Sequence, residues 1–266
     1  MTAAATRVDE VRFDVHDHVA TVTIDRQHVL NAVDGATTDR LNAIWAEIER
    51  TDVRCVVLTG AGAKAFCVGA DMSAQAIGKT GLEYWADLEP NGFGGFSLRS
   101  TLDVPVIARV NGYALGGGME LVLGCDIVVA AEHATFGLVE PRVGRLPLDG
   151  GMVLLPRKIP HNVAMGLLLT GRRAPAAELA RFGLVNEVVP AAELDDAVGR
   201  WVEQILACSP ASLRAIKQLT TRTAHLTPAE ARDARLPAVM ASVTGPDADE
   251  GVRAFQEKRA AVWGGR

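Results

Sequence analysis

A chain of 266 residues, 48% apolar and 22% charged, is long enough to bury one large core and carry an appendage. Its formal net charge of −5 argues against nucleic acid as the main partner, because neutralising a phosphate backbone takes clustered Lys and Arg. No apolar run approaches the ~18–20 residues of a membrane span. The stretch from Met1 to Glu10 lacks the apolar run of a signal peptide, so a cytoplasmic protein with a frayed start is expected.

Arg12 to Asp17 and Val19 to Asp25 alternate apolar and polar residues around a short break, which predicts a hairpin. Asp34 can cap a helix in which Leu41, Ile44, Trp45 and Ile48 share one face. Cys55 to Thr59 reads as a short buried strand closed by the turn Gly60-Ala-Gly62. Gly78 to Gly95 ends in Pro90, Asn91 and glycines, the pattern of a mobile loop with some helix. Strands are expected at Val106–Val110, Ile127–Ala131 and Ala134–Val139, a buried helix at Met119–Leu123, and a last strand at Leu184–Val189. Beyond it, Leu194–Cys208, Pro210–Arg222, Pro228–Ala241 and Asp249–Val262 read as helices. Two regions follow: a mixed core over 1–190 and a helical end over 191–266. Cys55, Cys67, Cys125 and Cys208 show no CxxC spacing and lie among apolar residues, so reduced core thiols are expected.

Several patterns could carry chemistry. Gly60-Ala-Gly-Ala-Lys-Ala65 approximates a dinucleotide fingerprint, with Glu83 near the place of a ribose-binding acid. That fingerprint must open a helix, and the extended-looking Phe66-Cys-Val-Gly69 follows instead, so a tight turn is the better reading. Asp14, His16 and His18 would share one strand face and could hold a metal, although a polar surface hairpin is far commoner. Asn111-Gly-Tyr-Ala-Leu-Gly-Gly-Gly-Met-Glu-Leu121 is the strongest local signal. Successive glycines before a helix allow close backbone approach and leave N–H groups free for an anion. Glu120 stands beside that terminus; its plain alternative is a carboxylate that favours the helix dipole. Phe66-Cys-Val-Gly-Ala-Asp71 is a second glycine turn after an apolar piece, and Phe136-Gly-Leu-Val-Glu140 ends a strand in a carboxylate. Two backbone donors and two carboxylates are the parts needed to add water to an activated thioester.

These segments, together with Asn31-Ala32, Val56-Val-Leu-Thr-Gly60, Gly150-Gly151, Leu169-Thr-Gly171 and Phe255-Gln-Glu-Lys-Arg259, resemble the crotonase (enoyl-CoA hydratase/isomerase) superfamily from about Val11 to the end. The resemblance implies an α/β fold, a spiral of ββα units with a helical C-terminal trimerisation region, assembled as a homotrimer or a dimer of trimers. It implies an oxyanion hole made by the N–H groups of Ala70 and Gly117, and catalytic glutamates at Glu120 and Glu140. It further implies acyl-CoA contacts by Arg26, Lys64, Ala65, Phe66, Val68, Asp71, Met72 and Gly116, with Phe255 and Lys258 reaching across a subunit boundary. No metal and no cofactor other than the substrate's coenzyme A is expected. Glu120 is expected to be ionised at its helix terminus and Glu140 to have a raised pKa. Pro90-Asn-Gly-Phe-Gly-Gly95 and the ending Val262-Trp-Gly-Gly-Arg266 look like carnitinyl-CoA dehydratases. That group's Gly-Trp-Asp turn is here Gly69-Ala-Asp71, and its acidic residue directly after the proline is displaced, since Pro147 is followed by Leu148 and then Asp149. A charge at Asp149 needs a partner or water; Arg142 or Arg145 could pair with it, or Asp149 or Arg145 could meet a polar acyl tail. Rival readings are a Δ3-Δ2-enoyl-CoA isomerase and a non-catalytic acyl-CoA-binding protein.

Overall fold

The computed structural model describes residues 10–72, 81–86 and 89–264. The expected frayed start (1–9) and parts of the loop expected from Gly78 to Gly95 lie outside the described residues.

The hairpin forms as β1 (Val11–His16) and β2 (Val19–Ile24), paired antiparallel from Val11↔Ile24 to His16↔Val19. Its turn residues Asp17 and His18 both take positive φ, the geometry that suits the twist of a two-residue hairpin. His18 pairs with Asp52 at 3.1 Å, and among the described residues no group of three potential metal ligands forms.

β2 continues in parallel to β3 (Cys55–Gly60), β5 (Val106–Val110), β7 (Ile127–Ala131) and β10 (Glu187–Val189), completing a six-stranded sheet. A second, four-stranded sheet holds β4 (Ala65–Cys67), β6 (Tyr113–Leu115), β8 (Thr135–Gly137) and β9 (Ala174–Pro175). A helix follows each of the first four strand pairs: α1 (Gly35–Ile48), α2 (Gly81–Ala86), α3 (Gly117–Gly124) and α4 (Gly151–Lys158). The chain thus runs as successive ββα units. From the second unit on, the first strand joins the large sheet and the second joins the small one. This is the expected α/β spiral.

Both faces of the large sheet are covered, which is why β3 reads as an unbroken apolar run rather than an alternation. On one face Ala20, Val22, Ile24, Val56 and Leu58 meet the stripe Leu41, Ile44, Trp45 and Ile48 of α1. Asp34 starts that helix, its Oδ1 accepting the Thr37 N–H at 2.8 Å. Each such fully buried side chain contributes roughly 1.5–3 kcal/mol. Trp45 donates its indole N–H to Gly94 O at 3.0 Å, tying the core to the 93–95 turn. On the other face Cys55, Val57, Ile107 and Val129 lie under Leu194, Ala197 and Val198 of α7 (Leu194–Leu206).

Helices α5 (His161–Thr170) and α6 (Ala176–Arg181) flank the small sheet's β9. After α7 come α8 (Pro210–Arg222), α9 (Pro228–Asp233), α10 (Pro237–Thr244) and α11 (Pro246–Glu257), with no further strand among the described residues. Two expectations about these helices are corrected. Pro228–Ala241 is not one helix, because Pro237 cannot donate an N–H and holds Leu236 in an extended conformation. The closing helix starts at Pro246 and stops at Glu257, where Lys258 turns left-handed at φ 55°. Among the cysteines, Cys55, Cys67 and Cys125 are buried as expected, but Cys208 is exposed beyond the end of α7. Burial pushes the Cys55 and Cys67 thiols up to about 12. Among the described residues no helix is long and apolar enough to cross a membrane.

Candidate active site

β4 runs into Val68-Gly69-Ala70, and β6 runs into Gly116, from which α3 starts. Gly69 and Gly116 both have positive φ, 97° and 55°, where a side chain would be strained. The two turns abut: a Cβ on Gly69 would stand 3.1 Å from the Gly117 nitrogen and 3.2 Å from Leu115 O. Ala70 is bridged to Val33, which donates to Gly69 O and accepts from the Asp71 N–H, both at 2.9 Å. Bonds on either side of Ala70 leave its own N–H facing away from Val33. Among the described residues neither the Ala70 nor the Gly117 N–H has an acceptor. Gly60-Ala-Gly62 is followed by strand β4, not by a helix, so the dinucleotide reading fails as expected.

Glu120 lies in the first turn of α3 and is 2% exposed. Gly151, the first residue of α4, donates its N–H to Glu120 Oε1 at 2.9 Å. Two helix N-termini therefore favour the carboxylate's negative charge. The expectation that its own helix terminus keeps it ionised is corrected, because burial outweighs both termini. Lost hydration pushes the pKa up to about 8; the Gly151 and Asp149 backbone bonds oppose this, and the charges of Asp149 and Glu140 add to it.

Glu140 opens a short 3-10 turn, Glu140–Val143, at the end of the β8 segment. Its Oε1 would be 3.2 Å from a Cβ on Gly116, so this carboxylate lies against the second glycine turn. Its Oε2 is buried with no hydrogen-bond partner among the described residues. Burial again raises the pKa; a bond from its own backbone opposes it and the Asp149 charge adds to it. An unsatisfied buried acceptor costs on the order of 1–3 kcal/mol, and such groups persist where a ligand satisfies them. Asp149 is buried nearby; its carbonyl accepts the Ser97 hydroxyl at 2.5 Å, while Arg142, one expected partner, donates to Thr170 O at 3.2 Å.

The structure brings together Ala70, Gly116, Gly117, Glu120 and Glu140, with half-buried Val68 alongside and its carbonyl near Gly116. Ala65 and Phe66 are buried in β4, so they form the wall rather than an exposed contact. Lys64 and Met72 are exposed. Phe255 is 85% exposed and Lys258 is exposed at the C-terminus of α11. Arg26 requires correction. Its guanidinium is buried among Glu10, Asp34 and Asp71 at 2.9–3.1 Å, so it is no free base for a coenzyme's phosphates, and Asp71 faces it. The sequence reading missed two residues that shape the site: Gly151, which holds Glu120, and Phe93, whose ring a Cβ on Gly117 would strike. The Gly150-Gly151 pair at a helix start was the available signal for the first. Phe93 lies in the Pro90–Gly95 motif, but nothing in its spacing placed its ring against Gly117. A cleft of about 470 Å³ lined by Arg12, Thr21, Thr59, Arg109 and Asp195 contains neither glutamate.

This architecture is that of the enoyl-CoA hydratase/isomerase family, whose model matches residues 14–266, and the chain belongs to that family. It is 35% identical over 263 residues to the carnitinyl-CoA dehydratase of Citrobacter koseri, covering 97% of this chain and 99% of the relative. It is 38% identical over 250 residues to the carnitinyl-CoA dehydratase of Shigella flexneri, covering 92% and 94%. The crystal structure of an enoyl-CoA hydratase from Bacillus anthracis superposes with a TM-score of 0.89 at 33% identity, covering 97% of this chain and all of that one. An enoyl-CoA hydratase from Mycobacterium tuberculosis H37Rv gives 0.87 at 33% identity, covering 97% and 99%.

Proposed function

We propose that this protein is an enoyl-CoA hydratase/dehydratase that adds water reversibly across the double bond of a 2-enoyl-CoA. The observation that carries the reading is the pair of carboxylates, buried Glu120 and half-buried Glu140, both with raised pKa, beside two N–H groups without acceptors among the described residues. The thioester carbonyl accepts the Ala70 and Gly117 N–H groups, which stabilise the enolate charge that develops on it. One such donor is typically worth ~10²–10³ in rate. One carboxylate takes a proton from water as the hydroxyl attacks Cβ, and the other delivers its proton to Cα. The active state is therefore the pair holding a single proton. Because the two charges interact, that proton belongs to the pair. Dehydration runs the same steps backward. The reaction moves protons and makes or breaks one C–O bond without net oxidation or reduction, so we assign no cofactor beyond the substrate's coenzyme A.

Similarity to carnitinyl-CoA dehydratases supports a polar or charged acyl group, and buried Asp149, whose charge acts on both glutamates, supports it further. Exposed Val252, Phe255 and Val262 on and after α11 support assembly into a homotrimer or a dimer of trimers, with Lys258 and Lys64 serving the coenzyme's phosphates. Turnover of crotonyl, long-chain, branched and crotonobetainyl thioesters tests both parts of the reading. Hydration of at least one supports the activity, and a preference for the charged tail supports the substrate class. Binding of all four without reaction overturns the activity.

A further inference from the structure

We propose that Arg26 is a positioning residue that sets the direction of the Ala70 N–H. The inference rests on the reading above, in which Ala70 supplies one of the two donors to the thioester carbonyl.

The bridge between Val33 and Ala70 is only one residue wide, held by two backbone hydrogen bonds. A bridge this short has no neighbouring ladder to fix its register. Arg26 supplies what the ladder lacks. One of its guanidinium nitrogens, Nη1, donates to Ala32 O at 2.5 Å. The other, Nη2, lies 2.9 Å from Asp34 Oδ2 and 3.1 Å from Asp71 Oδ2. Ala32 and Asp34 flank Val33, and Asp71 follows Ala70. A single planar group thus clamps the residues on both sides of the bridge. The backbone of Arg26 adds a second tie: its N–H donates to Asn31 Oδ1 at 3.0 Å, and Asn31 Nδ2 donates to Ala65 O at 2.8 Å, at the start of β4.

The clamp is buried, with the Arg26 side chain 6% and the Asp71 side chain 10% exposed. Removing Arg26 leaves the Asp34 and Asp71 carboxylates close together with no cation between them, and removing the Asp71 charge releases one side of the clamp, so the backbone beside it shifts. Asp71 is the neighbour of Ala70, so that shift rotates the peptide whose N–H faces the carbonyl. An oxyanion donor acts only when aimed within a few tenths of an ångström.

A conjugated cinnamoyl-CoA thioester bound to the protein reports this direction, since polarising its carbonyl red-shifts its absorbance and lowers its C=O stretching frequency. The wild type shows the shift. Arg26→Met and Asp71→Asn each lose most of it and lower kcat by ~10–100-fold, while KM changes less than ~3-fold. The double variant loses no more than either single one, because both disable the same clamp. Glu10→Gln, which removes only the outer partner of Arg26, keeps the shift. Arg26→Lys and Asp71→Asn decide the matter if Arg26→Met does not fold. A folded Asp71→Asn or Arg26→Lys with full red shift and unchanged kcat overturns the inference, as do additive losses in the double variant. A wild type with no shift at all instead contradicts the oxyanion reading on which the inference rests.

Discussion

Glu120 is held by Gly151: a carboxylate in the first turn of α3 accepts the first N–H of α4 at 2.9 Å, with 2% of the residue exposed. One carboxylate oxygen is thereby fixed. Glu120→Gln keeps an acceptor for Gly151 while removing the titrating proton. Its expected effect is a fall in hydration turnover of at least ~10²-fold, with acyl-CoA affinity within a few-fold of the wild type. Steady-state kinetics and calorimetric titration with a substrate analogue separate the two effects. Loss of binding in parallel with turnover would show a structural rather than a chemical role.

The same burial makes Glu120 a source of pH-dependent stability. Its folded pKa of about 8 stands above the ordinary value of 4.5. The protonated form is thus the one the fold prefers; its contribution is complete below about pH 4.5 and is lost as pH rises toward 8. Glu140 is shifted in the same direction. Thermal melts of the wild type should show stability falling across that window, and Glu120→Gln should be more stable than the wild type at pH 8–9 and similar at pH 5. An equal melting difference at both pH values contradicts the shift.

Activity follows a bell. A second proton on the pair removes the base at low pH, and loss of the last one removes the acid at high pH. Glu140→Gln should lower turnover by at least ~10²-fold and also remove the neighbouring charge that helps to raise Glu120. Its residual activity should therefore have a displaced alkaline limb. An identical pH profile at lower amplitude would argue that the two glutamates do not interact.

Gly69 tests the backbone half of the site. Alanine there meets φ 97° and would bring a Cβ to 3.1 Å from the Gly117 nitrogen, so the two turns must move apart. Gly69→Ala should lower kcat by ~10²–10³-fold, the worth of a misaimed donor, with a cooperative melt retained. Activity within a factor of two of the wild type would remove this turn from the mechanism.

Much of this was legible in the sequence because it depends on neighbours along the chain. The cap at Asp34, the period of Leu41, Ile44, Trp45 and Ile48, and the alternation in β1 and β2 are all local signals. The glycine turns at Gly69 and Gly116 were legible for the same reason: an unusual φ leaves an unusual composition. What escaped depends on packing. Glu120 looked ionised because the helix terminus is local, whereas the burial that overrides it comes from elements that pack on α3 from elsewhere in the chain, α4 and β4 among them. Arg26 looked like a free base because none of its three carboxylate partners is marked as such by spacing. The break before Pro237 was the exception, a local signal that the apolar pattern across it obscured.

The central claim is tested most directly by identifying the product of an enoyl-CoA incubated with the protein in heavy-oxygen water. The account predicts a 3-hydroxyacyl-CoA carrying the heavy oxygen at Cβ, formed by the wild type and lost in both Glu120→Gln and Glu140→Gln. A product of unchanged mass with its double bond moved, or substrate recovered unaltered from a protein that binds it, would contradict the account.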